Sequence, residues 1–351
     1  MRFFVTGATG FLGSHFVRLL IEKGHQVNAL VFEPERADFL KEQGAEVFLG
    51  GLADEDVLRE GMKGCDGVFH CAAFISLNPR ESIFYSINVE GTRTVLRVAK
   101  EMNIRRVVHT SSLSTIRTSQ TGEIADESET VIMDKHTLAY VWSKVESEKI
   151  AREFCRDGLE VVIVNPAAIL GPEDPFKSET NRLLEHYLSP WKFVSFYVEN
   201  NWVDVRDVAE GLLLAFEKGT PGERYFLGAT NTSANEIFKI LDKITGRGLP
   251  KIDLGWPITY FIGFFLEFFK NPTVTRGIAR YLRYPCWISN EKAKKELGFN
   301  PRGLEESLRE SVTSYRDYHM KHVSFTPKIE TSGKKGLPFG GNQKPHQSPP
   351  R

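Results

Sequence analysis

The chain has 351 residues, is 41% hydrophobic and 26% charged, and balances 45 Lys+Arg against 45 Asp+Glu. That length and composition allow a sizeable core without disulfide or metal staples, and a formal net charge of zero argues against a large nucleic-acid footprint, which needs excess positive charge. Cys65, Cys71, Cys155 and Cys286 are scattered with no C-x-x-C pair, so neither a disulfide scaffold nor a zinc site is expected, and reduced thiols in the cytoplasm are the simple reading.

Arg2 to Thr6 reads as a strand, with no charged leader and apolar signal core before it, so secretion is not expected. A glycine turn follows at once. Leu12, Phe16, Leu19 and Leu20 then repeat at helical spacing until Gly24. Further strands are predicted at Val27–Val31, Glu46–Phe48, Gly67–His70, Arg106–His109 and Val161–Val164. Ile87, Gly91, Thr94, Val95, Val98 and Met102 mark a second helical face, and Ala139 to Arg156 forms a third helix stopped by Asp157-Gly158. This alternation predicts an α/β protein, a doubly wound parallel sheet of the Rossmann kind with a smaller C-terminal substrate lobe. The dinucleotide-binding part is expected over 1–165 with 201–230 returning to it, the lobe over 166–323, and a disordered basic tail over 324–351. Trp256–Phe269 (WPITYFIGFFLEFF) is too short to span a bilayer and holds a Glu. A buried or lid helix is favoured there over a helix lying on a membrane surface.

Thr6-Gly7-Ala8-Thr9-Gly10-Phe11-Leu12-Gly13 spaces three glycines as G-x-x-G-x-x-G between strand and helix. Gly7 permits a tight turn, Gly10 lets backbone approach a pyrophosphate, and Gly13 lets helix and strand pack closely. The helix then offers free N–H groups and its positive end to phosphates. After the second strand, Glu33 could accept from a ribose 2′-hydroxyl and would repel a 2′-phosphate, whereas Arg36 could do the opposite. NAD is favoured slightly over NADP.

Tyr140 and Lys144 are four residues apart, on one face of a helix. A nearby ammonium favours phenolate, so Lys144 is expected to lower the Tyr140 pKa and let it exchange a proton near neutrality. The strand upstream ends in Ser111-Ser112, where a parallel sheet presents its ligand site.

In this order the motifs resemble those of the extended short-chain dehydrogenase/reductase family, within the NAD-dependent epimerase/dehydratase group. TGATGFLG at 6–13 resembles its cofactor turn, which implies contacts from Gly7, Thr9, Gly10, Phe11, Leu12 and Gly13. HCAA at 70–73 resembles the segment beside the adenine ribose, implying contacts from Cys71, Ala72 and Ala73. Asn88 in INVEGT resembles the site asparagine that helps a water chain carry protons to the lysine. TSS at 110–112 with YVWSK at 140–144 resembles the Ser/Tyr/Lys set, Ser112 being the better match to the catalytic serine. NPAAILGP at 165–172 resembles the nicotinamide segment, which brings in Pro166, and WVDVRDVAEG and YFLGATN resemble later signatures. The likeness runs from residue 1 to about 320. Two departures stand out. Gly50-Gly51-Leu52 replaces the usual Gly-Asp-Leu, leaving backbone contacts from Leu52 and displacing the carboxylate to Asp54. Asn165 and Ala168 stand where sugar-nucleotide epimerases carry Arg and Asn.

The second departure and the aromatic C-terminal pieces resemble the dihydroflavonol-reductase and 3β-hydroxysteroid-dehydrogenase branches. The resemblance implies hydride transfer between nicotinamide and a ketone or secondary alcohol of a fairly apolar substrate. Tyr140 would be the acid/base, Ser112 would hold the oxygen, Lys144 would bind the ribose, and Asn88 would support the relay. The alternatives are a nucleotide-sugar epimerase or dehydratase and a non-catalytic dinucleotide-sensing protein. Phe74, Trp191, Phe193, Phe196 and Tyr197 are candidate walls of an apolar pocket. His70, His109, His136 and His186 lack metal spacing and read as structural or surface residues. The expected partners are a small-molecule substrate and a second copy of the chain in a homodimer, with a membrane surface the less favoured alternative for 256–269.

Overall fold

The computed structural model describes all residues except 76–80, 117–121, 135–136, 175–177, 179–180, 189–193, 197, 249–251, 269–274 and 323–351. The tail expected from 324 therefore lies outside the described residues, as do His136, Trp191, Phe193 and Tyr197.

The first half alternates strand and helix. It runs β1 (Arg2–Thr6), α1 (Phe11–Glu22), β2 (Gln26–Val31), α2 (Asp38–Gln43), β3 (Glu46–Leu49), α3 (Glu55–Met62) and β4 (Gly67–His70). A short α4 (Glu81–Phe84) continues through a π-helical turn, Tyr85–Glu90, into α5 (Gly91–Glu101). Next come β5 (Arg106–Thr110), α6 (Ala139–Arg156), β6 (Glu160–Pro166) and β7 (Ala168–Leu170). The second half holds α7 (Arg182–Leu188), β8 (Val194–Phe196), β9 (Glu199–Asp204), α8 (Val205–Lys218), β10 (Arg224–Leu227), β11 (Thr230–Ser233) and α9 (Ala234–Thr245). The chain ends with β12 (Ile252–Leu254), α10 (Trp256–Leu266), α11 (Arg276–Tyr281) and α12 (Leu304–His322).

Seven strands make one parallel sheet in the order β10-β6-β5-β4-β1-β2-β3. β1 sits between β2 and β4, with Phe3 opposite both Val27 and Gly67. The order reverses at β1, and a crevice opens there at the carboxyl ends of the strands. Alternate residues of each strand face opposite layers. Phe3, Val5, Phe69, Val108 and Val162 pack with α1 and α8, while Phe4, Val68, Val107 and Val161 pack with α3, α5 and α6. On the first face the rings of Phe3 and Phe69 meet edge to face at 5.2 Å, as do Phe16 and Phe69 at 4.4 Å.

The lobe has its own core around Tyr187, Trp202, Phe238 and Leu241. Its strands form a three-stranded sheet, β11-β9-β7, and a two-stranded one, β12-β8. After β9 the chain re-enters the main sheet as α8 and β10, whose Phe226 lies opposite Asn165 of β6. Asp204 caps α8 by accepting from the Arg206 amide at 2.9 Å.

The aromatic run favoured as a buried or lid helix forms α10, and most of it is not buried. Thr259 and Gly263 are its two buried residues. A Cβ at Gly263 would lie 2.7 Å from the Thr275 carbonyl carbon, so the absent side chain is what lets α10 lie on the start of α11. The bulky residues are left outside, and hydrophobicity alone did not decide which side of the helix met protein. No helix among the described residues is long and apolar enough to cross a membrane.

Candidate active site

The glycine turn lies between β1 and α1 at the switch point. Gly7 has φ +71°, a backbone that favours glycine, and a Cβ there would sit 2.6 Å from the Ala72 nitrogen. The turn therefore lies directly on the segment after β4. Thr6 joins the two, its hydroxyl accepting from the Ala72 amide at 3.2 Å and bonding His70 Nδ1 at 2.8 Å. A Cβ at Gly13 would fall 2.0 Å from the Gly7 carbonyl oxygen. No side chain caps α1 and no carboxylate occupies its first turn, so the amides at its start are available to an anion. That cradle fits a dinucleotide pyrophosphate, formed by Gly7, Thr9, Gly10, Phe11, Leu12 and Gly13.

The other expected cofactor residues surround this turn. Glu33 lies two residues past the end of β2 and pairs with Arg36 three residues on. The displaced Asp54 turns back, accepting from the Gly51 amide at 2.6 Å. Leu52 packs against Gly91 at the start of α5. Across the crevice, Pro166 ends β6, and the Pro172 carbonyl bonds His15 of α1 at 3.1 Å. This ties the 165–172 segment to the glycine-turn helix.

Ser112 and Tyr140 come together. Burial pushes the Tyr140 phenol above its ordinary value, and the neighbouring Ser112 and Ser114 hydroxyls oppose that rise. Ser112 accepts from the Ser114 amide at 3.1 Å. Ser111 turns the other way and donates to Glu148 at 2.5 Å. The geometry thus separates the two serines, with Ser112 on the phenol and Ser111 in the interior.

Lys144 departs from the expectation. It is 3% exposed, and its ammonium donates to the Thr110 carbonyl at 2.9 Å. Burial brings its pKa down to about 8, against the opposing pull of Glu148 and Cys71. The two side chains share a helix face, but four residues carry the ammonium about 6 Å further along the axis, to the end of β5, while the phenol leans on Ser112. Tyr140 is accordingly raised by burial rather than lowered by its neighbour.

Asn88 is buried in the π-helical turn. Its side chain accepts from the Phe74 amide at 2.7 Å and donates to the Phe74 carbonyl at 3.0 Å and the Ser143 hydroxyl at 2.9 Å. It therefore clamps the segment after β4 onto α6, beside Tyr140. Cys71 sits under the site, accepting from Thr110 at 3.5 Å, and burial pushes its thiol up to about 11. His70 and His109 stack at 5.5 Å beneath Lys144. Burial, then the Lys144 charge, brings His70 down to about 3, and burial lowers His109 well below its usual value. Both are neutral structural groups.

A polar cluster behind the serines had no distinct sequence signal. Glu148, one turn beyond Lys144, accepts from Ser111 at 2.5 Å, Asn165 at 2.6 Å and Thr115 at 2.9 Å, and meets Arg224 of β10 at 3.4 Å. Asn165 also donates to the Ser112 carbonyl at 3.1 Å. It is fully buried and so braces the serine loop from behind instead of facing a substrate. On the open side, Phe84 contacts Phe74 at 5.3 Å and Tyr140 at 6.1 Å between ring centres. Tyr281 of α11 is pushed well up by burial, with Cys286 and Tyr140 adding to it, which puts a second phenol near the first. Of the expected walls, Phe74 packs on Phe84. Trp191, Phe193 and Tyr197 fall outside the described residues, and only the backbone of Phe196 is described.

The family described as NAD dependent epimerase/dehydratase matches residues 3–228. A protein of Synechocystis sp., provisionally named dihydroflavonol 4-reductase, is 36% identical over 90% of this chain and 95% of its own. A 4-hydroxy-2-methyl-3-oxo-4-farnesyl-3,4-dihydroquinoline-1-oxide ketoreductase of Stigmatella aurantiaca is 35% identical over 86% of this chain and 92% of its own. Among solved structures, that of gox2253 superposes with a TM-score of 0.81 at 31% identity, covering 90% of this chain and 98% of its own. The chain belongs to the NAD dependent epimerase/dehydratase family and is an NAD(P)-dependent oxidoreductase of the extended short-chain dehydrogenase/reductase type.

Proposed function

We propose that the protein moves a hydride between nicotinamide and a ketone or secondary alcohol of a fairly apolar substrate, with Tyr140 as the proton donor and acceptor. The observation that carries this is the meeting of Tyr140 and Ser112 at the carboxyl end of β5, with Lys144 buried one turn deeper. The nicotinamide supplies or takes the hydride when bound. Ser112 holds the substrate oxygen beside the phenol. Tyr140, raised by burial, keeps its proton at neutral pH until negative charge builds on that oxygen. Lys144 presents a cation to the ribose side of the site, and Asn88 holds α6 against the segment after β4.

Apolarity of the substrate is supported by Phe84 against the Tyr140 ring with Phe74 packed on it, by Asn165 being consumed behind Ser112, and by relatives named as a dihydroflavonol 4-reductase and a farnesyl-dihydroquinoline-oxide ketoreductase. NAD is proposed over NADP because Glu33 stands just past the end of β2 and Arg36 is already paired with it. A homodimer through α5 and α6 is proposed by likeness to the family, with exposed Tyr85 stacked on Trp142 at 6.0 Å as its apolar element. The four unpaired cysteines support a reducing, cytoplasmic setting.

Tyr140→Phe tests the proposal. NADH binding should persist while turnover on a panel of apolar ketones falls ~10²–10⁴-fold. Full activity in this variant would refute the role of Tyr140. Tightly retained NAD with no net consumption on sugar nucleotides would favour epimerisation instead.

A further inference from the structure

The face made by α10 and α11 has a construction that the hydride-transfer site does not use. Trp256, Tyr260 and Phe264 recur every four residues along α10. Arg283, Arg280 and Arg276 stack over them in reverse order, at 4.4, 5.7 and 5.1 Å from the ring centres. This ladder fixes three guanidinium groups along one flank of an apolar helix. Beside it a second stripe points outward. Ile258, Phe261, Phe265 and Phe268 are 51, 65, 62 and 77% exposed. Arg276 is balanced by Glu267 at 2.7 Å. Arg280 and Arg283 are exposed and have no carboxylate within ion-pair distance among the described residues.

We propose that this face docks on the surface of an anionic phospholipid bilayer, with α10 lying in the plane of the interface. Four large apolar side chains in one stripe are a costly surface to leave in water. Charge selects the partner. Guanidinium groups pinned beside the stripe sit at the depth of lipid phosphates when the stripe enters the acyl boundary. A second copy of the same face would set arginine against arginine, and like charges across an interface repel. The 11 residues of α10 rise about 16 Å, roughly half the hydrocarbon thickness, so the helix lies on the membrane and does not span it.

Flotation of the full-length protein tests this, using vesicles of phosphatidylcholine alone and of phosphatidylcholine mixed with phosphatidylglycerol. The wild type should rise with the phosphatidylglycerol vesicles and be partly released by salt. Phe261→Ser/Phe265→Ser should lower that partition roughly a hundredfold, the contribution expected of two partly inserted aromatic side chains. Arg280→Gln/Arg283→Gln should weaken it about thirtyfold on anionic vesicles and hardly at all on neutral ones. NADH binding should be unchanged in both variants, which reads their folding independently. The proposal is overturned if the wild type stays with neither vesicle, or if the Phe261/Phe265 variant floats as well as the wild type. A wild-type oligomer that this variant dissociates would also overturn it, assigning the face to a second copy.

Discussion

Replacing Lys144 with Met should stabilise the free protein while abolishing its activity. The ammonium is 3% exposed and burial holds its pKa at about 8, against an ordinary 10.5. At about 1.4 kcal/mol per tenfold, keeping it charged at neutral pH costs about 3 kcal/mol. Methionine fills similar space without a charge but leaves the Thr110 carbonyl without its donor, a loss of about 1–3 kcal/mol. Lys144→Met should therefore equal or exceed wild-type stability by up to about 2 kcal/mol at pH 7. The pH dependence gives a sharper signature. A lysine whose folded pKa is depressed binds fewer protons folded than unfolded between about 8 and 10.5. Wild-type stability should rise with pH across that window relative to the variant, by about 3 kcal/mol in total, and be flat below it. Urea titrations of both proteins from pH 7 to 10.5 read this directly. A variant clearly less stable than wild type at pH 7, or a difference that does not move with pH, would refute the cost assigned to the buried ammonium.

Glu148→Ala should be among the most destabilising single changes, by about 3–5 kcal/mol in urea unfolding, since it leaves the buried Arg224 with backbone carbonyls but no carboxylate and removes the acceptor of Ser111, Asn165 and Thr115. A loss under about 1 kcal/mol would show that the cluster is not a unit. Gly13→Ala drives a methyl into the Gly7 carbonyl, so NADH affinity measured by fluorescence should fall at least about tenfold, and unchanged affinity would argue against the cradle. Ser112→Ala should lose turnover with its fold intact, whereas Ser111→Ala should lose about 1–3 kcal/mol of stability with its rate less affected. Equal kinetic losses in both would contradict the division between the two serines.

Much of the frame was legible because it rests on local rules. The glycine spacing at 7, 10 and 13, the period of the first helix and the six strand cores are set by turn sterics and side-chain alternation, which sequence displays directly. Ser112, Tyr140 and Lys144 could be chosen because their order along a parallel sheet restricts where they end up. The failures were three-dimensional. Helical spacing put Tyr140 and Lys144 on one face but could not reveal that the ammonium would bond the Thr110 carbonyl while the phenol leaned on Ser112. Glu148 and Arg224 are 76 residues apart and meet only because β10 joins β6. Asn165 looked like an altered substrate contact until β6 placed it behind the serine loop. For α10, apolarity around most of the helix gave no hint of which side would stay bare, since two small residues, Thr259 and Gly263, made that choice by packing.

The late arrival of β10 bears on how this chain must be made. During synthesis the first six strands of the main sheet emerge by residue 166, yet the strand that closes the β6 edge ends at residue 227. Until then the nascent sheet carries an open hydrogen-bonding rim, and Glu148 waits inside it without its guanidinium. A fragment cut after β6 would therefore be sticky and charge-frustrated rather than a stable nucleotide-binding half, and release of the intervening lobe from the ribosome sets the earliest moment at which the enzyme can lock.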